Sequence, residues 1–417
     1  MRRTIHFLLA ILVLLSYTAR AQDPETKPMT LFQTYDGYHV PYRIPAIATT
    51  NKGHLLALTD RRYCILDIGY GRIDIVARTS RDNGRSWSAD TVIQRGSGIE
   101  GSDNCGYGDV ALVADRTSKR VLCMSVTGNV IYIQGTREKP NRIARWYSPD
   151  GGRSWTEAED VTTDFYQMLP NTRTMFIGSG RIMQSRIVRK GKYYRLYCSV
   201  LTRTQMGDKD VACNYVIYSD DFGQSWNVLG GSTLDGNDSP CVGGDEPKTE
   251  ELPNGDVVLS SRKWYGRYFN VFHFDDIAND QQTGKWGKCV ASHDIEGGIS
   301  VGANSCNGEI LLVDAHKSGT NRPVKLMLQS LPFGEGRCDV GIYYKEIIPS
   351  GIYSPTAFAA AWTRGLQVSH TTSAYSTMIQ QRDRRIAFYW EEQQTENGYN
   401  MVYQPLTIAE ITKGSFY

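Results

Sequence analysis

Arg43 stands between Tyr42 and Ile44 in an otherwise apolar, strand-like run, where a guanidinium is a poor guest without a partner. It either ties two parts of the chain together in a salt bridge or faces an anionic ligand, and residue type alone leaves both open. The other residues able to do chemistry are scattered. Asp67 follows Asp60-Arg61-Arg62 by five positions and precedes Gly69 by two, which by itself reads as a turn aspartate. Asp109, after Gly108 in Cys105-Gly106-Tyr107-Gly108, admits the same reading. Glu246 and Arg262 are 262 − 246 = 16 residues apart, and Arg322 precedes the apolar stretch Val324 to Leu328. Tyr375 sits in Ser373-Ala374-Tyr375-Ser376, and Glu391 ends the aromatic run Phe388-Tyr389-Trp390. Guanidiniums converging from different segments can fork a carboxylate, which lysine point charges orient less well. A tyrosine hydroxyl, with a pKa near about 10, needs an adjacent base to act as a nucleophile at neutral pH. Such chemistry requires a fold that gathers remote strand ends.

The elements that could do so are marked by a repeat. Ser80-Arg81-Asp82-Asn83-Gly84-Arg85-Ser86-Trp87, Ser148-Pro149-Asp150-Gly151-Gly152-Arg153-Ser154-Trp155 and Ser219-Asp220-Asp221-Phe222-Gly223-Gln224-Ser225-Trp226 all fit Ser-x-Asp-x-Gly-x-x-Trp. The steps are 148 − 80 = 68 and 219 − 148 = 71 residues, so one supersecondary unit is reused. Its Asp accepts bonds from downstream N–H groups, its Gly turns the corner, and its Trp is expected to open the next strand beneath the turn. The motif resembles the Asp box of sialidases and some other β-propellers, where it is structural and carries no chemistry. Gly284-Lys285-Trp286 keeps only the end of the pattern, and Ser330 to Gly336 reads as a further remnant. Strand-like runs such as Gly53 to Leu58, Lys192 to Cys198, Asp256 to Ser260 and Ile386 to Trp390 recur throughout. Helical periodicity is scarce, with Pro355 to Trp362 the best short candidate. The expectation is an all-β, six-bladed β-propeller forming one domain over residues 22–417.

With the Arg-Ile-Pro motif at Arg43-Ile44-Pro45 and the boxes in place, the chain resembles the bacterial exo-α-sialidases (neuraminidases) from about Leu31 to Glu391. The resemblance implies that Tyr375 is the nucleophile, Glu246 its base and Asp67 the general acid/base. Arg43, Arg262 and Arg322 would bind the substrate carboxylate, with Arg322 in the least typical surroundings. Arg62 would line the pocket, with Arg61 as a competitor for that role, Asp109 would meet sugar hydroxyls, and Glu391 would hold Arg43. Glu250 and Glu251 would be solvated. Met168-Leu169-Pro170 and Thr174-Met175-Phe176 are candidate loops for the N-acyl group. The implied activity is hydrolysis of terminal sialic acids from glycans with retention, through a covalent sialyl-tyrosine and without metal or organic cofactor. A neutral tyrosine suits a substrate whose anomeric carbon carries a carboxylate, and tyrosine nucleophiles are a recognised exception to two-carboxylate glycosidase chemistry.

The bulk properties agree with a glycan substrate. Arg2 and Arg3, the apolar run Phe7 to Leu15 and Ala19-Arg20-Ala21 read as a signal peptide over residues 1–21, giving an exported protein, periplasmic or secreted. Removing that segment leaves 43 Lys and Arg against 44 Asp and Glu, or 43 − 44 = −1. There is no basic excess for nucleic acid, and no apolar run long enough for a membrane span. Nine cysteines without a C-x-x-C pair argue against structural zinc and leave at least one thiol unpaired. The rival readings are transfer of sialic acid to a second sugar, intramolecular release of an anhydro sugar, and a sialoglycan-binding propeller. The last would be expected to lose Tyr375, Glu246 or Asp67.

Overall fold

Strand-length runs of β-branched and aromatic residues, cut by Gly, Asn and Asp turns, form strands throughout the described residues, all paired antiparallel except the short Gly180–Arg181, which runs parallel to Gly106–Ala114. The computed structural model describes residues 27–417 other than 232, 233 and 235. The signal-peptide reading of residues 1–21 lies outside the described residues. Among those described, the strands form five hydrogen-bonded sheets. Four are meanders beginning with Gly106–Ala114, Thr172–Ile177, Asp245–Glu251 and Ile310–Lys317. The eight-stranded fifth sheet joins two meanders, Tyr42–Thr49 to Thr91–Gln94 and Ser373–Gln380 to Gly398–Leu406, at the single pairing Tyr42–Tyr399. Met29–Phe32 pairs with Gly398–Leu406, so the start of the described chain completes the C-terminal meander.

The core follows this arrangement. Apolar faces of successive meanders are packed against each other: Leu56, Leu58 and Ile75 against Leu112, Cys123 and Trp146, and Leu122 and Met124 against Met175, Cys198 and Ile217. The last such layer sets Ala387, Tyr389 and Tyr403 against Leu55, Ala57 and Val76, joining the C-terminal meander to the N-terminal one. First strands touch first strands: Tyr42–Thr49 contacts both Gly106–Ala114 and Ser373–Gln380, and Asp245–Glu251 contacts Ile310–Lys317.

The repeated boxes act between meanders. In each, the aspartate accepts from a downstream N–H and the leading serine accepts from the glycine N–H; Ser86 N donates to Asp82 Oδ1 at 3.0 Å and Gly84 N to Ser80 Oγ at 2.8 Å. The glycine takes φ of +84°, +93° and +80° in the three copies, and a Cβ there would meet Tyr403, Leu56 or Leu122 of the preceding meander. Trp226 directly precedes the strand Asn227–Val228, as expected, but the first box tryptophan departs from expectation. Trp87 stands four residues before the strand Thr91–Gln94 and packs edge-on against Tyr403 of the C-terminal meander, with ring centroids 5.0 Å apart. The ring therefore seals a seam between meanders, where apolar area is available, and does not lie beneath its own turn. The alanine-rich candidate forms the helix Pro355–Ala359, with Pro in its first turn and Ser354 Oγ capping Ala357 N at 3.2 Å.

Candidate active site

In an antiparallel meander, the start of the first strand and the end of the second lie at the same end of the hairpin. Arg43, Asp109, Glu246 and Tyr375 all occupy the first few residues of first strands. Arg62 and Arg262 occupy the last residues of second strands. Every one of the four first-strand residues falls within a register shift: Arg43/Ala46, Gly108/Ala111, Asp245/Pro247 and Ser373/Ser376. A bulge bends its strand and re-aims a side chain. Here bulges turn polar residues inward from strands that otherwise alternate core and channel. Ile44 and Asp109 take φ of 62° and 54°, sparsely populated for a non-glycine residue and costly for β-branched Ile44.

At the centre, Tyr375 Oη donates to Glu246 Oε1 at 2.5 Å. Arg262 Nη1 donates to Glu246 Oε2 at 2.9 Å and to Tyr375 Oη at 3.2 Å, while its Nε donates to Ser305 Oγ at 3.0 Å. Burial pushes the Tyr375 phenol well above its usual range; the Glu246 carboxylate adds to this, and Arg262 and Arg337 oppose it. The phenol is therefore protonated, and its proton is directed at the Glu246 carboxylate. Cys306 packs with Tyr375, Ile44, Ala374 and Tyr399, its thiol pushed up to about 11, chiefly by burial.

Arg43 is fixed by Glu391, with Nε to Oε1 at 2.7 Å and Nη2 to Oε2 at 3.3 Å. The same carboxylate accepts from Ile44 N at 2.8 Å and Tyr375 N at 3.1 Å. Fully buried Glu391 is nevertheless held below the usual carboxylate range, because Arg43 and these N–H donors outweigh burial. The Arg43 guanidinium carbon lies 5.4 Å from the Tyr375 ring centroid and 5.2 Å from that of Tyr399. A cleft of ≈ 760 Å³ opens above, lined by Arg43, Arg62, Asp67, Arg337 and Tyr399, with Phe176 and Ile133 on its apolar side.

A second cluster surrounds Arg62. Strand alternation sends Arg62 toward the cleft and Arg61 to the other face, where Arg61 stacks on Tyr38 at 4.0 Å and pairs with Asp90. Arg62 Nη2 lies 2.9 Å from Asp60, 3.2 Å from Asp67 and 3.6 Å from Asp109. Asp67 is 54 % exposed at the rim, whereas Asp60 and Asp109 are buried. Burial raises the Asp60 carboxyl to about 7 although Arg62 opposes the shift, and burial with Asp67 and Asp60 raises Asp109 as well. Asp60 was within reach of sequence reasoning, since residues two apart on a strand share a face.

Arg322 is not part of this assembly. It opens the second strand Arg322–Pro332, opposite Lys317, and is 55 % exposed in a 2.6 Å pair with Glu346. The start of the partner strand, Ile310, faces Gln329. The 329 − 322 = 7 intervening steps, at about 3.3 Å each, put Arg322 roughly 23 Å down the hairpin. The guanidinium that faces Tyr375 belongs to Arg337, in the turn after that strand. Its Cζ lies 5.2 Å from the Tyr375 ring centroid, and its carbonyl accepts from Ser373 N at 2.9 Å. Burial works against the Arg337 charge, but Tyr375 and Cys306 outweigh it and raise its pKa. The signal was positional: Arg62 and Arg262 follow their apolar runs, as Arg337 does, and Arg322 precedes its own.

Glu250 and Glu251 are also corrected. Both are fully buried: Glu250 pairs with Arg181 and Arg186, each at 2.7 Å, and Glu251 accepts from Ser185 Oγ and, at 2.6 Å, from Arg186 N. Arginines from two remote strands, Gly180–Arg181 and Met183–Lys190, supply the partners that make their burial possible. Of the N-acyl candidates, Met168 ends the helix Thr162–Met168 and Leu169 is buried. Thr174 to Phe176 lie in the strand Thr172–Ile177, and only Phe176 among these reaches the cleft. No group of three or more His, Cys, Asp or Glu among the described residues is arranged to hold a metal, and no described helix is long and apolar enough to cross a membrane.

No family model matches the chain. A sialidase of Micromonospora viridifaciens is 30 % identical over 233 residues, covering 53 % of this chain and 32 % of the relative. One from Paraclostridium sordellii is 28 % identical over 305 residues, covering 64 % and 67 %. The chain thus spans about a third of the first relative's length and two thirds of the second's. Among solved structures, the Hadza microbial sialidase Hz136 superposes with a TM-score of 0.68 at 20 % identity, over 92 % of this chain and 69 % of that one. The intramolecular trans-sialidase of Ruminococcus gnavus gives 0.65 at 14 % identity, over 92 % and 98 %. The mostly β architecture is that of these β-propeller enzymes, and in sequence the chain is similar to the curated sialidases.

Proposed function

We propose that the chain is an exo-α-sialidase that removes terminal sialic acids from glycans with retention. The observation that carries this reading is the 2.5 Å bond from Tyr375 to Glu246 within reach of Arg43, Arg262 and Arg337. Three guanidiniums fork the substrate carboxylate and set the anomeric carbon above Tyr375. The phenol proton passes to Glu246 as Tyr375 Oη bonds to the anomeric carbon, and Arg262 and Arg337 offset the charge developing on the oxygen. The glycosidic C–O bond breaks with the proton of Asp67 going to the leaving oxygen. Asp67 then takes a proton from water, whose oxygen displaces Tyr375, and Glu246 returns the phenol proton. The cycle consumes no metal or organic cofactor.

The architecture that supports this is a six-bladed propeller over residues 22–417. Apolar layers between consecutive meanders, the last of which joins C-terminal to N-terminal strands, support that count. The leader-like residues 1–21 support an exported enzyme acting on sialylated glycoproteins, glycolipids or oligosaccharides. The test is turnover of a fluorogenic sialoside by wild type and Tyr375→Phe, with the anomer released followed by NMR. The expected result is an α product from wild type and a fall in kcat on the order of 10³-fold or more in the variant, with sialic acid binding retained. Full activity of Tyr375→Phe would refute the nucleophile.

A further inference from the structure

Cys241 and Cys289 are 289 − 241 = 48 residues apart in the chain, yet their Sγ atoms lie 3.1 Å apart, well inside the contact distance of two sulfurs. The two belong to different sheets. Cys241–Val242 is a two-residue strand on Lys209–Ser219, with Cys241 opposite Asn214. Cys289 immediately precedes Val290–Ala291, a strand on Gly266–Asp276. Cys241 is buried and Cys289 is partly exposed, and both pack in the apolar layer between these sheets with Val257, Leu259 and Phe272. Cys241 also stands five residues before Glu246, in the segment that leads into the strand Asp245–Glu251.

We infer that Cys241 and Cys289 are an oxidative modification site, closing to a disulfide that staples two neighbouring sheets beside the strand carrying Glu246. The oxidant is a small-molecule disulfide of the oxidised glutathione class. Cys289 is the accessible partner; the neighbouring Cys241 thiol and burial push its thiol up, so its thiolate is a minor and slow-reacting species, but it is the one that can attack a sulfur of the oxidant and release one small thiol. The thiolate of Cys241 then attacks Cys289 Sγ and releases the second. Two protein thiols lose two protons and two electrons, and the oxidant disulfide is reduced to two thiols. A bond of about 2.05 Å requires the sulfurs to close by roughly 1 Å, which side-chain rotation of Cys289 at the edge of the layer can supply. The inference is independent of the catalytic reading, because its readouts are thiols and stability.

The full chain is incubated with oxidised glutathione, denatured without reductant, and alkylated to count thiols by intact mass. The expected result is a change from nine to 9 − 2 = 7 alkylated cysteines, without retained glutathione, and a melting temperature several degrees higher that dithiothreitol reverses. Cys241→Ser must lose the disulfide, giving eight alkylated cysteines or seven plus one glutathione adduct on Cys289. Cys241→Ser/Cys289→Ser must melt at the same temperature with and without oxidant. Nine thiols in oxidised wild type, or seven in a pairing that survives Cys241→Ser, would overturn the assignment.

Discussion

Replacing Arg337 and Arg322 in parallel separates two readings of the carboxylate-binding set. Arg337 lies 5.2 Å from the Tyr375 ring and lines the cleft. Arg322 is 55 % exposed and pairs only with Glu346 and its own hairpin. A hydrogen bond to a charged group is worth about 1.5–3 kcal/mol. Arg337→Ala should therefore raise KM for a sialoside by roughly 10- to 150-fold. It should also lower kcat, because the same cation offsets charge developing on Tyr375. Arg337→Lys keeps the charge but loses the fork, so its KM should fall between wild type and Ala. The backbone carbonyl that accepts from Ser373 N is untouched by either change, which limits damage to the fold. Arg322→Ala removes one exposed ion pair, worth about 0–1 kcal/mol, and should leave KM and kcat within twofold. Initial rates on a fluorogenic sialoside, with binding of free sialic acid by calorimetry, supply the comparison. An unchanged KM in Arg337→Ala, or a large rise in Arg322→Ala, would refute the placement of the third guanidinium.

Three further outcomes follow from buried groups. Glu391→Ala leaves Arg43 buried without its partner and frees the Ile44 and Tyr375 N–H groups; the cost should be about 3–5 kcal/mol in denaturant unfolding, with sialic acid binding lost. Because Glu391 titrates below its unfolded value, its contribution is present above about pH 4.5 and disappears as pH falls through the lower folded value, so acid should narrow the gap between wild type and Glu391→Ala. Glu251 shows the opposite sign: burial raises its carboxyl to about 7 although Ser185 and Arg186 oppose the shift. Its contribution is present below its unfolded pKa and is lost as pH rises through about 7. Glu251→Gln should flatten the stability–pH curve between about pH 4.5 and 7, removing up to about 1.4 kcal/mol per pH unit. Finally, Gly84→Ala places a Cβ 2.0 Å from Tyr403 Oη at φ +84°, whereas Gly151→Ala, at φ +80°, meets nothing within 4 Å. The first should cost about 2–5 kcal/mol and the second about 1–2, measured by urea midpoints; equal losses would show that the box glycines do not lean on the preceding meander.

Much of this architecture can be read from residues that act locally. The boxes are local hydrogen-bond circuits, so their spacing marks repeating meanders directly. The sixteen-residue step from Glu246 to Arg262 is the length of a hairpin return, and Asp245 indeed faces Arg262 across it. Alternation alone separates Arg62 from Arg61. What escaped depends on contacts distant in the chain. Glu250 and Glu251 look like surface carboxylates until the remote strand Met183–Lys190 brings Arg186 against them. The four bulges that aim Arg43, Asp109, Glu246 and Tyr375 inward have no common residue signature. Each becomes visible only when the partner strand's register is known.

The misplacement of Arg322 shows how topology could have decided the matter. A second strand runs away from its hairpin turn and toward the end where the first strand began, so its last residues, or the turn after it, reach the end at which Tyr375 and Glu246 meet. Arg62 and Arg262 obey this rule by following Leu55 to Leu58 and Val257 to Leu259. Applied to Val324 to Leu331, it passes over Arg322 at the far end and selects the turn containing Arg337. Direction along the hairpin therefore constrains the third guanidinium more tightly than proximity to an apolar run. The same rule makes substitutions at Lys317 or Asn321, beside Arg322, as silent in catalysis as Arg322→Ala itself.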